Sequence, residues 1–206
     1  PTSANSKNEN KKDPGGSDPN SSSSSGTNSP TFQGSQPFSN QLLTDPTSAI
    51  EKESIQALQK FSSVSKLFVP PIAGIQFVPY DYDEGVEAIT GSDVDRGLQL
   101  TLFARAGAFT EQQFLDYLKT YPQGIPGLEG LMSPNLGEGK TIELTQGSGL
   151  NSVRYWTVQN GGKTVYLAMI PRKDGKGTYF ASVVGSDELD RAEDFYYETL
   201  TQMKAL

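Results

Sequence analysis

Asp81-Tyr82-Asp83-Glu84, followed by Glu87 and then by Asp93 and Asp95, forms an acidic cluster within the first third of the folded-looking sequence. Carboxylates at alternating positions can supply oxygen ligands to calcium, which makes Asp81, Asp83, Asp93 and Asp95 the candidate cation ligands. The spacing is not that of a helix-loop-helix calcium site, which needs a glycine at the sixth loop position and a glutamate at the twelfth. A solvated acidic loop is the plainer reading. Carboxylate pairs also catalyse glycoside hydrolysis, so a carboxylate-based hydrolase stands as an alternative function. Tyr80, Tyr82 and Trp156 are the candidate binding residues, because an exposed tyrosine or tryptophan can hold a glycan, a peptide or a protein partner. The competing reading places such aromatics over a sheet, beneath a helix. Tyr155 and Trp156 are consecutive in "VRYWTV" and must point to opposite faces of any strand that carries them.

The stretch "PNLGEGKT", Pro134 to Thr141, ends like a phosphate-binding loop. The full pattern needs its first glycine where Pro134 stands, and a helix after the threonine, whereas "TIELTQ" reads as a strand. It is read as a loop entering that strand.

The chain contains no cysteine and no histidine. That removes disulfides, thiol nucleophiles, imidazole bases and the usual zinc ligands together. No catalytic residue is assigned, and no motif calls for a cofactor. The net charge is −7, and the basic residues of the domain are scattered without a stripe. Neutralisation of a phosphate backbone is therefore not expected, and nucleic acid is not a predicted partner.

These residues need elements to position them. "AIEKESIQALQKFSSV" after Thr47-Ser48 reads as a helix with Ile50, Ala57 and Phe61 on one face and Leu58 at its margin. Strands follow at "GIQFVPY", "EGVEAIT" and "GLQLTLFAR", the last with Leu98, Leu100 and Leu102 on one face. Thr110 and Gln113 form a capping box for a second helix that ends at Pro122. After a Gly- and Pro-rich loop come four strand candidates, "KTIELTQ", "SVRYWTVQ", "KTVYLAMIP" and "TYFASVVG". Asn160-Gly161-Gly162 and Asp174-Gly175-Lys176-Gly177 read as hairpin turns between the last three. A closing helix is expected from Ser186, with Leu189, Ala192, Tyr196, Leu200 and Met203 as its apolar stripe. The fold class is α+β, a curved antiparallel sheet packed with two or three helices.

Residues 1–45 contrast with all of this. Their apolar side chains are Ala4, Phe32, Phe38, Leu42 and Leu43, in a background of Ser, Asn, Gly, Pro, Lys and Asp. Such a composition cannot offset an ordering cost of roughly 1–2 kcal/mol per residue, so a disordered tether is expected ahead of a single domain at 46–206. A coil of that length reaches roughly 30–40 Å. A Ser/Asn-rich spacer suits a lipid-bearing cysteine upstream of Pro1, which would be the only membrane attachment. No apolar run is long enough to cross a bilayer as a helix.

The order of elements, the "GIQFVPY" opening, the "VRYWTV" to "VYLAMI" hairpin and the closing "AEDFYYETLTQMKAL" segment resemble the PsbP-like fold over about residues 68–206. That fold is named for an extrinsic photosystem subunit and also occurs in a nuclear-transport cofactor and in bacterial envelope lipoproteins. The resemblance implies a non-catalytic domain that binds a partner or supports an assembly. The expected function is accordingly a non-enzymatic, tethered domain of a bacterial cell envelope, periplasmic or at the surface, with a protein or glycan partner. A cation- or glycan-binding module is the alternative of a different class.

Overall fold

Ser48 opens the first helix by a reciprocal cap: its hydroxyl accepts the Glu51 amide at 3.1 Å, and the Glu51 carboxylate accepts the Ser48 amide at 2.8 Å. The structure is a computed structural model, and it describes residues 41–93, 95, 97–186 and 199–206. Helix α1 runs over Ala49–Ser65 and buries Ser54, Leu58 and Phe61. The face expected from the sequence holds at Leu58 and Phe61 and shifts in the first turns. Ile50 is 55% exposed, and a serine sits inside. The reason is what lies beneath: strand β2 (Gln76–Pro79) is an edge strand with outward backbone groups to satisfy. The Ser54 hydroxyl accepts the Phe77 amide at 2.9 Å and donates to the Ile75 carbonyl at 3.4 Å.

Beyond β2 come β3 (Glu87–Asp93), β4 (Leu98–Ala106), α2 (Glu111–Thr120) and a single 3-10 turn at Pro122–Gly124. The second half contributes β5 (Lys140–Ile142), β6 (Val153–Asn160), β7 (Lys163–Pro171) and β8 (Gly177–Ser186). These strands form a seven-stranded sheet in the order β2-β3-β4-β8-β7-β6-β5, antiparallel at every pairing. Two meanders are joined where β4 lies beside β8. The β6–β7 hairpin closes with Asn160 opposite Lys163, so only Gly161 and Gly162 form the loop. Both take positive φ, 58° and 77°, which is why two glycines stand there.

The expected α+β architecture holds, with helices on both sheet faces. On one face Leu98, Leu100, Leu102, Tyr155, Ala168 and Tyr179 pack with Leu58 and Phe61 of α1 and with Leu200 and Met203. On the other, Phe103, Trp156, Leu167 and Phe180 pack with Phe114 and Leu118 of α2 and with Ile125 and Leu128 of the loop that follows. Strand β7 is buried on both faces, hence its unbroken run of apolar residues. Beside α1, β1 (Leu67–Phe68) pairs with β9 (Lys204–Ala205) in a small two-stranded sheet.

Two boundaries move. Residues 41–43 were expected in the tether, but they belong to the domain. The Leu43 amide donates to the Pro71 carbonyl at 2.8 Å, and the Gln41 carbonyl accepts the Ala73 amide at 2.7 Å. Residues 1–40 of the expected tail lie outside the described residues. So do Leu189, Ala192 and Tyr196 of the expected closing helix. Ser186 is the last residue of β8, residues 199–202 are helical, and Leu200 and Met203 are both buried.

Candidate functional site at the end of the first helix

The aromatic candidates are packed rather than presented. Trp156 is 2% exposed, with its ring centre 5.3 Å from that of Phe114 beneath α2. It lies in the core and not at an exposed surface, because β6 is buried on both faces. As expected, Tyr155 occupies the opposite core. Gly139 lets the preceding loop lie directly on the indole, since a Cβ there would stand 2.6 Å from Nε1. Lys140 then enters a strand and holds its ammonium 5.9 Å from the Tyr155 ring, so the "GKT" run serves the sheet. Tyr80 and Tyr82 are half-buried. The Tyr80 hydroxyl donates to the Gly124 carbonyl at 3.1 Å. The Tyr82 ring lies edge-on to Phe103 at 4.7 Å, and its hydroxyl accepts a close hydrogen bond from Tyr117. Burial pushes the Tyr82 hydroxyl far above its ordinary pKa.

The four carboxylates expected to share a cation are split. Asp81 and Asp83 are exposed in the β2–β3 turn, where Asp83 Oδ1 accepts the Glu84 amide at 2.8 Å. Asp93 is buried at the far end of β3, and Asp95 follows in the next turn. The seven residues of β3 put about 20 Å between the pairs, too far for one ion. Among the described residues no three acidic side chains converge as a metal site. Glycoside hydrolysis, for its part, needs one carboxyl held protonated. Glu51 and Asp174 are displaced the other way, by the Ser48 backbone and by Arg172 respectively.

What the fold does assemble is a network around the C-terminal end of α1. Lys66 caps this helix in the left-handed conformation, φ 58° and ψ 34°, with its amide donating to the Ser62 carbonyl at 2.9 Å. Its own carbonyl accepts from the Leu206 amide at 2.8 Å, the Tyr179 hydroxyl at 3.0 Å and Arg172 Nη1 at 3.2 Å. All five N–H groups of Arg172 find acceptors. Nε and Nη2 reach the two oxygens of Asp174 at 3.0 and 2.8 Å, Nη1 reaches the Lys66 carbonyl and the Tyr179 hydroxyl, and Nη2 also reaches the Leu206 carbonyl at 3.4 Å. The guanidinium holds Asp174 down to about 2. Arg172 is therefore a clasp, with no donor left over for a bound anion.

Two grooves lie beside this clasp, with Leu206 lining both. The larger, of about 660 Å³, lies on the sheet face beyond the helix end. Its floor is low because the side chains are small: Ala104 pairs with Glu87 and Tyr179, and Ala106 pairs with Gly177. Lys66, Lys176 and Arg172 bring positive charge to it, and Glu87 the opposite sign. The smaller, of about 370 Å³, runs between α1 and β1, lined by Ile55, Leu58, Gln59, Ser62, Ser63, Phe68, Val69, Pro71 and Leu206. Both include Leu206, and Val64 and Phe68 stay exposed at 56% and 38% on their rims. Sequence reading found none of these residues as a site. "RKDGKG" reads only as a turn, and the grooves join segments more than a hundred positions apart. No protein-family model and no curated protein matches the chain.

Proposed function

We propose that this chain is a non-enzymatic domain, tethered at a bacterial cell envelope, that binds a protein partner on the surface around the C-terminal end of α1. The observation that carries this reading is a pair of grooves that share Leu206 at a fixed helix end, with Val64 and Phe68 exposed beside them. Exposed apolar side chains beside a groove with an apolar lining are the kind of surface that marks interaction sites. A concave site with a rigid wall also loses less ordering entropy on binding, and the Arg172 clasp supplies that wall. A glycan platform would need open ring faces, and Tyr80, Tyr82 and Trp156 turn theirs inward. Two features of the sequence support the tether: the composition of the forty residues before Gln41, and the abrupt change to a packed domain.

The test is selection of a displayed random-peptide library on the immobilised domain, repeated on Ser63→Trp. Ser63 is exposed and lines the smaller groove, so an indole there fills the groove without entering the core. Enriched peptides should bind the parent and not the variant. An unenriched library, or one whose peptides bind both proteins equally, would defeat the reading.

A further inference from the structure

We infer that the segment held in the groove between α1 and β1 is an extended peptide with apolar side chains at its centre and carboxylates at its ends. The inference rests on the function proposed above and names the partner's chemistry. Among the described residues, no charged side chain lines this groove. Two lysines stand next to residues that line it. Lys66 follows the last turn of α1, and Lys204 stands opposite Phe68 in the β1–β9 register, so the two side chains share one side of the small sheet. Lys176 continues the same sign into the larger groove. Of the nearby carboxylates, Asp174 is already bound through both its oxygens by Arg172, and Glu87 lines the larger groove and not this one.

This is a local reversal in a chain whose net charge is −7. The overall field opposes an acidic partner, whereas the rim attracts one. Screening decides between them. At physiological ionic strength charges further apart than about 8 Å are largely screened, so the lysines in contact outweigh the distant carboxylates. The negative end of the helix dipole would also repel an anion, but the Ser65 and Lys66 carbonyls are already capped by the Tyr179 hydroxyl at 2.8 and 3.0 Å. Size fixes the rest. Ile55 to Ser63 covers about 12 Å of helix, which a strand of about four residues matches.

The experiment uses fluorescence anisotropy with three synthetic peptides that share a Leu/Phe centre and are flanked by Glu, Gln or Lys. The Glu-flanked peptide should bind tightest, and its affinity should fall as salt is raised. Lys66→Gly with Lys204→Gln should weaken it by roughly three- to tenfold, as two exposed charge pairs would. Glycine suits the positive φ at 66, so the folded domain is retained, which a thermal melt confirms. Equal or tighter binding of the Gln- or Lys-flanked peptide, lost on Ser63→Trp, overturns the acidic partner and leaves the binding surface standing. Binding of none of the three overturns the inference as well, and the library selection then decides whether the surface binds anything. A dimer that dissociates on Ser63→Trp would assign the groove to a second copy of this chain, against the inference.

Discussion

Arg172 Nη1 donates to the Tyr179 hydroxyl at 3.2 Å, and that hydroxyl donates in turn to the Ser65 carbonyl at 2.8 Å. A hairpin turn, a central strand and a helix end are fastened through one oxygen. The expected result of Tyr179→Phe is a loss of about 1–3 kcal/mol, because the substitution keeps the ring but removes the donor to the Ser65 carbonyl and the acceptor for Arg172 Nη1. Chemical unfolding measures it. Asp174→Asn should also weaken the clasp at neutral pH, and in the parent protein this part of the stability should fade in acid. The sign follows from the lowered pKa: the contribution is complete above the ordinary aspartate value of about 4 and is lost as pH falls through the folded value of about 2.

Ser54 offers a sharper test of the packing of α1. Removing its hydroxyl leaves the Phe77 amide and the Ile75 carbonyl without their partner at the sheet edge. Ser54→Ala improves helix propensity and should nevertheless destabilise the domain by about 1–3 kcal/mol. Ile50→Ser, at an exposed position, should stay within about 0.5 kcal/mol of the parent. The reverse ranking would mean that the helix packs through the face its apolar residues suggest.

Ile50 and Ser54 also show where sequence reading succeeds and stops. Strand positions were legible because side-chain alternation and the Gly-Gly turn are local: Leu98, Leu100 and Leu102 share a face, and Tyr155 and Trp156 separate, as expected. Phe61 and Leu58 of α1 were legible as inward, but Ser54 was not, since what Ser54 meets is a pair of backbone groups at a strand edge that only the sheet order creates. Trp156 is a related case. Whether an aromatic on an alternating strand meets solvent or α2 depends on which loops close over that face. The acidic pairs were separated by a length of strand that the sequence does contain, the seven residues of β3, and the spacing alone could have warned against a shared ion. The site residues Lys66, Phe68, Arg172 and Lys204 carry no motif and meet only through tertiary contacts.

The Tyr82–Tyr117 pair should make the domain sensitive to alkali. Burial raises both hydroxyls above the ordinary tyrosine value of 10.0, so the folded state keeps protons that the unfolded chain gives up. The stability this contributes is fully present below about pH 10 and declines as pH rises beyond it. Unfolding midpoints measured across that range should fall more steeply for the parent than for Tyr82→Phe. Tyrosinate absorbance in the folded protein should lag that of the unfolded chain. Coincident titration curves would show that the pair is open to water.

Lys66 stands out because, among the described residues, it is the one non-glycine position with positive φ, 58°. A left-handed residue bearing a Cβ costs roughly 1–2 kcal/mol relative to glycine, which is the usual occupant at a helix C-cap of this geometry. The surrounding donors hold the conformation: three of them converge on the Lys66 carbonyl, and none depends on its side chain. Lys66→Gly should therefore raise stability by about 1 kcal/mol, less the small gain that glycine gives the unfolded chain in entropy. Lys66→Ala, which keeps the Cβ, should give none of that gain, so the difference between the two isolates backbone strain from loss of the ammonium. If the side chain is retained for its charge, as the proposed acidic partner requires, the two variants should lose peptide affinity equally while differing in stability. Equal stability of the two would show that the left-handed cap is not strained. Affinity unchanged from the parent in both would remove Lys66 from the binding surface.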